Sequence, residues 1–458
     1  VNPLFIGVLA LVGWEIAVRR GIFGGLRLKL PAFGPAAVVA AAAVLVGAFA
    51  AQLALCDYQS AHDGIRPVWF AAAPLHFVDD AYPFGPAHAA FSFGALALAI
   101  VQTLALFVIA GGVANPASSG AARIVPFVAA FALGALAFAS PVVTSGDVFG
   151  YVGIGMLGAH PFARPEDFFH GQYAQVFANY PIRPTVYGPV WVVVNAGAVA
   201  LATTFAGKIF ALRLLGAILL GLLVVLARAL GAGRAALCAL ALNPMLWFQF
   251  VANAHNDMFA IALVVAALVA VGRRLLSLAV IFVAAAGAVK VPFLVLGIVI
   301  FARHRDRRMG IVAAAASVAL AVGVSAAYGG HAYLDGLLAT GRGRVVWGPE
   351  VAVAKAAVAL LALGATVAAL VFRRFVGFAA WFYPGLAPLL FPWYLAWTIP
   401  YACAAGSGLL ETLLVLPIAA TMADTIYGLD LFGLAVAVAV VTFVVVDLRR
   451  RHFAPLTA

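Results

Sequence analysis

The sequence predicts an all-α, polytopic integral membrane protein, and three observations carry that expectation. Of the 458 residues, 66% are hydrophobic and only 9% are charged, where a soluble domain carries about 25% charged residues. The mean hydropathy is +1.11. A chain of this composition cannot cover a soluble surface. In a bilayer its apolar segments must satisfy their own backbone groups, which makes them helices. Third, the basic residues gather at the ends of apolar runs: Arg19, Arg20, Arg27 and Lys29; Arg303 to Arg308; Arg373 and Arg374; Arg449, Arg450 and Arg451. That is the positive-inside pattern. The net charge of +11 therefore reads as topology and not as a nucleic-acid surface, for which the chain has no large polar domain.

Taken in order, the apolar runs are 3–18, 36–55, 91–112, 124–142, 189–206, 209–227, 236–251, 257–271, 277–302, 309–327, 351–372, 376–391, 393–405, 409–427 and 430–447. They give about 11 to 15 transmembrane helices in one transmembrane domain, 1–458. Several fall short of the ~20 residues of a straight span and are expected to tilt, break or dip part-way. The first run reads as a span and not as a cleaved leader. The chain opens on Val1, as expected where an initiator or a short tail is missing. Gly111 to Gly120 has turn composition and reads as a short cytoplasmic loop. There is no internal repeat and no inverted pair of Gly/Pro-broken segments. Cys56, Cys238 and Cys403 are too few and too scattered for a disulfide framework or a zinc site, and read as small packing residues.

The positive-inside rule places 56–90, 143–188 and 328–350 outside, together with Pro392-Trp393-Tyr394. The 143–188 loop is expected to carry short amphipathic helices. The middle does not close. Arg228, Arg234, Arg273 and Arg274 look cytoplasmic, yet simple alternation puts them outside. Either 189–227 is not two plain spans, or 277–302 breaks at Lys290-Val291-Pro292.

Asp147 is the leading candidate for chemistry. It follows Thr144-Ser145-Gly146 where an apolar helix meets a long polar-aromatic loop, and long loops of this kind usually carry function. It reads either as a helix cap or as a catalytic base. Tyr151 follows one helical turn later, with His160-Pro161-Phe162, Pro165-Glu166-Asp167 and His170 beyond it. The loop leaves through Arg183 and Tyr187-Gly188-Pro189-Val190-Trp191. There Pro189 suits a first helical turn, and Tyr187 and Trp191 are either aromatic-belt anchors or substrate contacts.

Asn243-Pro244 and Asn253-Ala254-His255-Asn256-Asp257 put polar groups in or beside apolar segments, where ionisable side chains default to function. The bland alternative is a helix cap by Asn256 or Asp257. No HExxH or DxD occurs, and a single His beside a single Asp does not meet zinc spacing, so neither a metal nor a cofactor is expected. Lys290 is isolated in an apolar run, too deep to snorkel easily. It needs an anion, either a lipid phosphate or an internal carboxylate such as Asp257. Trp393, Tyr394 and Trp397 interrupt a late apolar stretch as interfacial anchors or as part of a site. The 328–350 loop adds His331, Asp335, Arg342, Arg344, Trp347 and Glu350.

The order Asp-x-x-x-Tyr, Tyr-Gly-Pro-x-Trp, Asn-Pro with a downstream His-Asn-Asp, Lys-x-Pro and Pro-Trp-Tyr-x-x-Trp, running from Ser140 to Pro400, resembles the GT-C glycosyltransferases that use polyprenyl-phosphate sugars. It is closest in kind to the bacterial mannosyltransferases of lipomannan-type glycans. Residues 1–120 match nothing specific in that pattern, and His160-Pro161-Phe162 stands where the family has Asn-Pro-Tyr. The resemblance implies a GT-C-like fold in the bacterial cytoplasmic membrane. It implies a site facing outside, with Asp147 as the base, a polyprenyl-phosphate sugar as donor and a lipid-linked or glycan acceptor. Mannose is the expected sugar.

The chemistry fits. A sugar on a lipid phosphate already has a good leaving group, while the acceptor hydroxyl needs a base. One carboxylate serves an inverting displacement, whereas retention would want a second close by. Lys290, Arg183 or His255 would hold the departing phosphate. Tyr151, Tyr187, Asn256, Asp257, Trp393 and Tyr394 complete the expected substrate-binding set. The alternative is a secondary transporter or lipid-linked-sugar flippase using Lys290, Asp257 and Asp424 as a charge relay.

Overall fold

The computed structural model describes residues 30–62, 89–115, 120–140, 142, 147–158, 160, 162–163, 185–302, 304–342, 392–405 and 409–428, and its regular elements are helical. Helices α1 (Pro35–His62) and α2 (Ala89–Ala114) pack on each other, and α3 (Gly120–Ala139) packs on α1. Gln102 of α2 donates to Gln52 of α1 at 2.8 Å, an interhelical hydrogen bond of the kind that joins helices where water is absent. The rest runs α4 (Asp147–Met156), α5 (Pro189–Ala200), α6 (Phe205–Ala229) and α7 (Arg234–Ala241). Next come one turn at Pro244–Leu246 and a π-helical segment, Trp247–Ala252. Then follow α8 (Asp257–Gly272), α9 (Leu276–Gly287), α10 (Phe293–Ala302), α11 (Arg307–Tyr328) and α12 (Gly330–Arg342). A 3-10 helix, Pro392–Thr398, leads into α13 (Ile399–Ala405) and α14 (Leu409–Gly428).

Burial follows composition. α8 is apolar on every face, and a helix of that kind belongs in the interior. It packs against α6, α9, α10, α13 and the 3-10 helix. α11 buries only one stripe, Gly310, Ala313, Ser317 and Ala321, at the three-and-four spacing of a single helix face. Its Ile311, Val312 and Val322 are exposed, as are Phe127 and Phe131 of α3. Apolar side chains in such numbers on an outer surface are what a lipid-facing wall presents. Cys56, Cys238 and Cys403 are buried, as packing residues.

Among the described residues five segments are long and apolar enough to cross a membrane: Pro35–Cys56, Phe93–Ala114, Phe205–Ala229, Arg234–Ala252 and Arg307–Tyr328. Five more apolar helices are shorter. The runs 3–18, 351–372, 376–391 and 430–447 lie outside the described residues.

The middle departs from plain alternation in two places. The run 189–206 is not a span: α5 is 12 residues long, about 18 Å, and ends before Thr204 caps α6 through Gly207 N–H. The run 277–302 is a hairpin and not one helix. It breaks at Lys290, with Gly287 against Leu294 and Gly297 against Val283, so its two ends return to the same face. Both alternatives raised by the sequence are realised together. Arg234, Arg273, Arg274 and Arg305 then lie at or beside the ends of helical segments that point away from residues 253–257 and 287–293, and Arg228 closes α6 just before Arg234. A third difference concerns 147–156, in the loop expected to carry short amphipathic helices: the segment is helical but not amphipathic. It is a helix with eight buried residues. Its three glycines look like turn signals, but Gly155 serves close packing on Val199 of α5.

Candidate active site

Local backbone chemistry brings four separate segments to one place. The π-helical segment leaves through Asn253 and Ala254, whose N–H groups and those of their neighbours close back on the turn: Asn253 to Phe248 O at 3.0 Å and His255 to Gln249 O at 3.1 Å. Ala254 has φ 53°, a left-handed conformation that costs a non-glycine residue about 1–2 kcal/mol. The strained turn delivers His255, Asn256 and Asp257 side by side. Opposite it, Gly188 N–H donates to Val289 O at 3.0 Å and Val190 N–H to Ala288 O at 3.1 Å. A Cβ at Gly188 would strike the Ala288 carbonyl, so only glycine lets Tyr187 come beside the hairpin tip that carries Lys290. In the 3-10 helix, residues three apart eclipse, and Tyr394 and Trp397 accordingly stack with centroids 4.3 Å apart.

Asp147 opens α4, where the positive end of the helix favours an ionised carboxylate. Its Oδ2 lies 3.5 Å from Nδ1 of His255, and the two side chains are 27% and 0% exposed. The carboxylate is therefore reachable while the imidazole behind it is not. His255 is fixed by its ring stacked on Trp393, centroids 3.8 Å apart.

Lys290 donates to Asp257 Oδ1 at 2.8 Å. Asp257 is fully buried and also accepts from Trp397 Nε1 at 2.8 Å. Of the two anions the sequence offered for Lys290, the internal carboxylate is the one in contact. The ammonium is not consumed by it. The Lys290 side chain keeps 15% exposure and sits 4.4 Å over the Tyr394 ring, 5.4 Å over Trp397 and 5.9 Å over Tyr187, an aromatic setting that suits a cation.

The third wall is a hydroxyl relay. Tyr187 O–H donates to Tyr151 Oη at 3.4 Å, and Tyr151 O–H donates to Asn256 Oδ1 at 3.3 Å. Asn195 Nδ2 holds the Tyr151 carbonyl at 2.7 Å, and Trp191 packs edge-on against the same ring. Asn256 occupies the cap position of α8, but its side chain makes no cap bond; it receives Tyr151 instead.

The structure thus gathers Asp147, Tyr151, Tyr187, His255, Asn256, Asp257, Lys290, Trp393 and Tyr394 into one site. Arg183 lies outside the described residues, as do Glu166, Asp167 and His170. Trp191, Trp393, Tyr394 and Trp397 are buried, which suits site walls and not interfacial anchors. Asn243 is elsewhere: its Nδ2 donates to Leu413 O at 2.8 Å and ties the π-helical segment to α14. His160 and Phe162 fold toward the α11–α12 corner, where Phe162 meets Tyr328 and Tyr333. Of the alternative relay, Lys290 and Asp257 do pair, while the Asp424 side chain is outside the described ones. Sequence reasoning named Trp397 beside Trp393 and Tyr394 but left it out of the substrate-binding set, although it shares Asp257, and it passed over Asn195. It also passed over Arg213, a cation alone in an apolar run, the same signal that singled out Lys290.

Among the described residues no three His, Cys, Asp or Glu side chains group as metal ligands. The arrangement can accept a proton at Asp147, hold that carboxylate through His255, and present an ammonium and an aromatic floor to an anionic, ring-bearing ligand.

No curated protein and no solved structure matches the chain. The family model described as the alpha-(1->6)-mannopyranosyltransferase N-terminal domain of the MptA/B family matches residues 36–305. It takes in α1 to α3, where the motif order showed nothing specific, and ends after the hairpin of α9 and α10. The match covers well over half of the chain, which therefore belongs to the MptA/B family, a family of GT-C-type membrane mannosyltransferases.

Proposed function

We propose that the chain transfers mannose from a polyprenyl-phosphate donor to a lipid-linked or glycan acceptor, with inversion, at the outer face of the bacterial cytoplasmic membrane. The observation that carries this reading is the Asp147–His255 pair, a partly exposed carboxylate on a buried imidazole, in one site with an ammonium set over aromatic rings. The acceptor hydroxyl approaches Asp147, which takes its proton as the C–O bond forms. His255 holds the carboxylate in place. The donor phosphate leaves with the bonding electrons, and the exposed side of Lys290 offsets its charge. Tyr187, Tyr394 and Trp393 give the sugar ring and lipid-linked phosphate an aromatic wall.

Sidedness is supported by the basic turns. Arg228, Arg234, Arg273, Arg274 and Arg305 to Arg308 lie on the face opposite the site, and an arginine-rich face is the cytoplasmic one. The unwound backbone at Lys290-Val291-Pro292 is also in keeping, because irregular backbone at membrane depth is tolerated where it lines a cavity. An alpha-(1->6) product formed by a single inverting displacement requires a donor with a β-anomeric phosphate bond.

The test is transfer by the purified protein in lipid, given labelled polyprenyl-phosphate sugars and a membrane lipid extract as acceptor source. Mannosyl transfer from the polyprenyl phosphate, lost in Asp147→Asn, is the expected result. Transfer only from a nucleotide sugar would overturn the donor assignment.

A further inference from the structure

The guanidinium of Arg213 joins the two strands of backbone that deliver Asp147 and His255. Arg213 lies in α6 and is 1% exposed. Its Nη1 donates to Ser140 O at 2.8 Å and to Phe138 O at 3.0 Å, and its Nε donates to Ala252 O at 2.7 Å. Phe138 and Ser140 end α3, and Asp147 is the seventh residue after Ser140. Ala252 ends the π-helical segment, and the chain then goes through the strained Ala254 to His255. Each carbonyl set is a helix C-terminus, whose last C=O groups have no partner within the helix and which carries the negative end of the helix dipole. One planar fork with donors at fixed angles meets both sets at once. A lysine ammonium, a point charge on a flexible stem, has no such reach across two sites.

The neighbourhood is built around that contact. A Cβ at Gly216, one turn further along α6, would strike the Phe250 carbonyl, so α6 lies directly against the π-helical backbone. Phe138 and Phe210 pack with ring centroids 5.0 Å apart, which seats the end of α3 on the same stretch of α6. Asp147 and His255 meet at a 3.5 Å side-chain contact, and Arg213 is bonded to the backbone that leads to each of them.

We infer that Arg213 is a positioning residue for the transfer reaction: it clamps the exit of α3 to the exit of the π-helical segment and so fixes Asp147 against His255. It touches no substrate. The kinetic part of this inference rests on the proposed role of Asp147 as base. A misplacement of the base by a fraction of an ångström to 1 Å lowers the rate by as much as about 10²-fold.

Three measurements test it. In Arg213→Lys, which keeps a charge and the fold, kcat for mannosyl transfer should fall about tenfold or more, with the donor KM unchanged within about a factor of two. In a His255→Ala background the same substitution should cost nothing further, because the pair it aligns is already gone. A merely structural Arg213 would give multiplicative losses in the double variant, or a changed melting temperature with kcat intact, and either result overturns the proposal. The third measurement needs no donor. With Cys56, Cys238 and Cys403 replaced by Ala, Asp147→Cys and His255→Cys are joined by a short bis-methanethiosulfonate reagent. The cross-link should form in high yield with Arg213 and drop in Arg213→Lys; equal yields overturn the clamp. A wild-type protein inactive with polyprenyl-phosphate mannose, but with an Arg213-dependent cross-link, would remove the donor assignment and leave the positioning role standing.

Discussion

Lys290 and Asp257 form a 2.8 Å ion pair inside the helical interior, and the same carboxylate oxygen takes the Trp397 indole N–H. The pair has a direct consequence for substitution. Lys290→Met strands a fully buried carboxylate and should destabilise the protein by about 3–5 kcal/mol. Lys290→Met combined with Asp257→Asn should recover most of that, because no charge is left uncompensated. Melting temperatures of the single and double variants measure this. If Lys290→Met melts as wild type does, the pair contributes nothing to the fold. Donor affinity should stay low in the double variant, since the ammonium proposed to meet the phosphate is still missing.

Asp147→Asn should remove transfer while leaving the fold and donor binding nearly intact. Loss of a positioned base typically costs ~10²–10⁴-fold in rate, and Asp147 is partly exposed at the first turn of a short helix, so its side chain bears little packing. Steady-state rates beside a thermal melt give the answer. Wild-type turnover would reduce Asp147 to a helix-terminal residue.

Ala254→Gly should leave stability unchanged or raise it slightly. The left-handed φ of 53° costs alanine about 1–2 kcal/mol, while glycine gives back about 0.4–1 kcal/mol through the unfolded chain. Ala254→Val should destabilise clearly, since a β-branched residue fits that conformation worst. A melt in which valine equals alanine would mean that the turn before His255 is not held as described.

Stereochemistry separates the inverting route from a retaining one. Given synthetic α- and β-anomers of polyprenyl-phosphate mannose, the enzyme should use the β-anomer and form an α-linked product, because one carboxylate supports a single displacement. Use of the α-anomer with retention would call for a second carboxylate near Asp147.

The sequence by itself determined the class of protein and most of the participants. Composition alone demands a membrane-embedded helical protein, because 9% charged residues cannot hydrate a globular surface. The rule that ionisable groups at membrane depth are costly and so rarely idle picked out His255, Asp257 and Lys290, a long polar-aromatic loop picked out Asp147, and all four meet in the site. Motif order gave the family, which the match over 36–305 bears out.

Only the tertiary structure decided how these residues pair. Hydropathy counts apolar residues but not direction. The hairpin with its tip at Lys290 and the truncated α5 were therefore offered as alternatives, although both occur. Periodicity does not read a glycine used for helix contact, so a short amphipathic helix was expected after Asp147 where α4 is buried on nearly every side. Nor can it read a contact made across distant segments. Lys290 chooses Asp257 because a backbone hairpin and a strained turn bring them together, Trp393 stacks on His255 because a 3-10 helix presents it, and Arg213 bonds to the ends of two helices. Each is a three-dimensional coincidence of groups that carry no mark of one another in the chain.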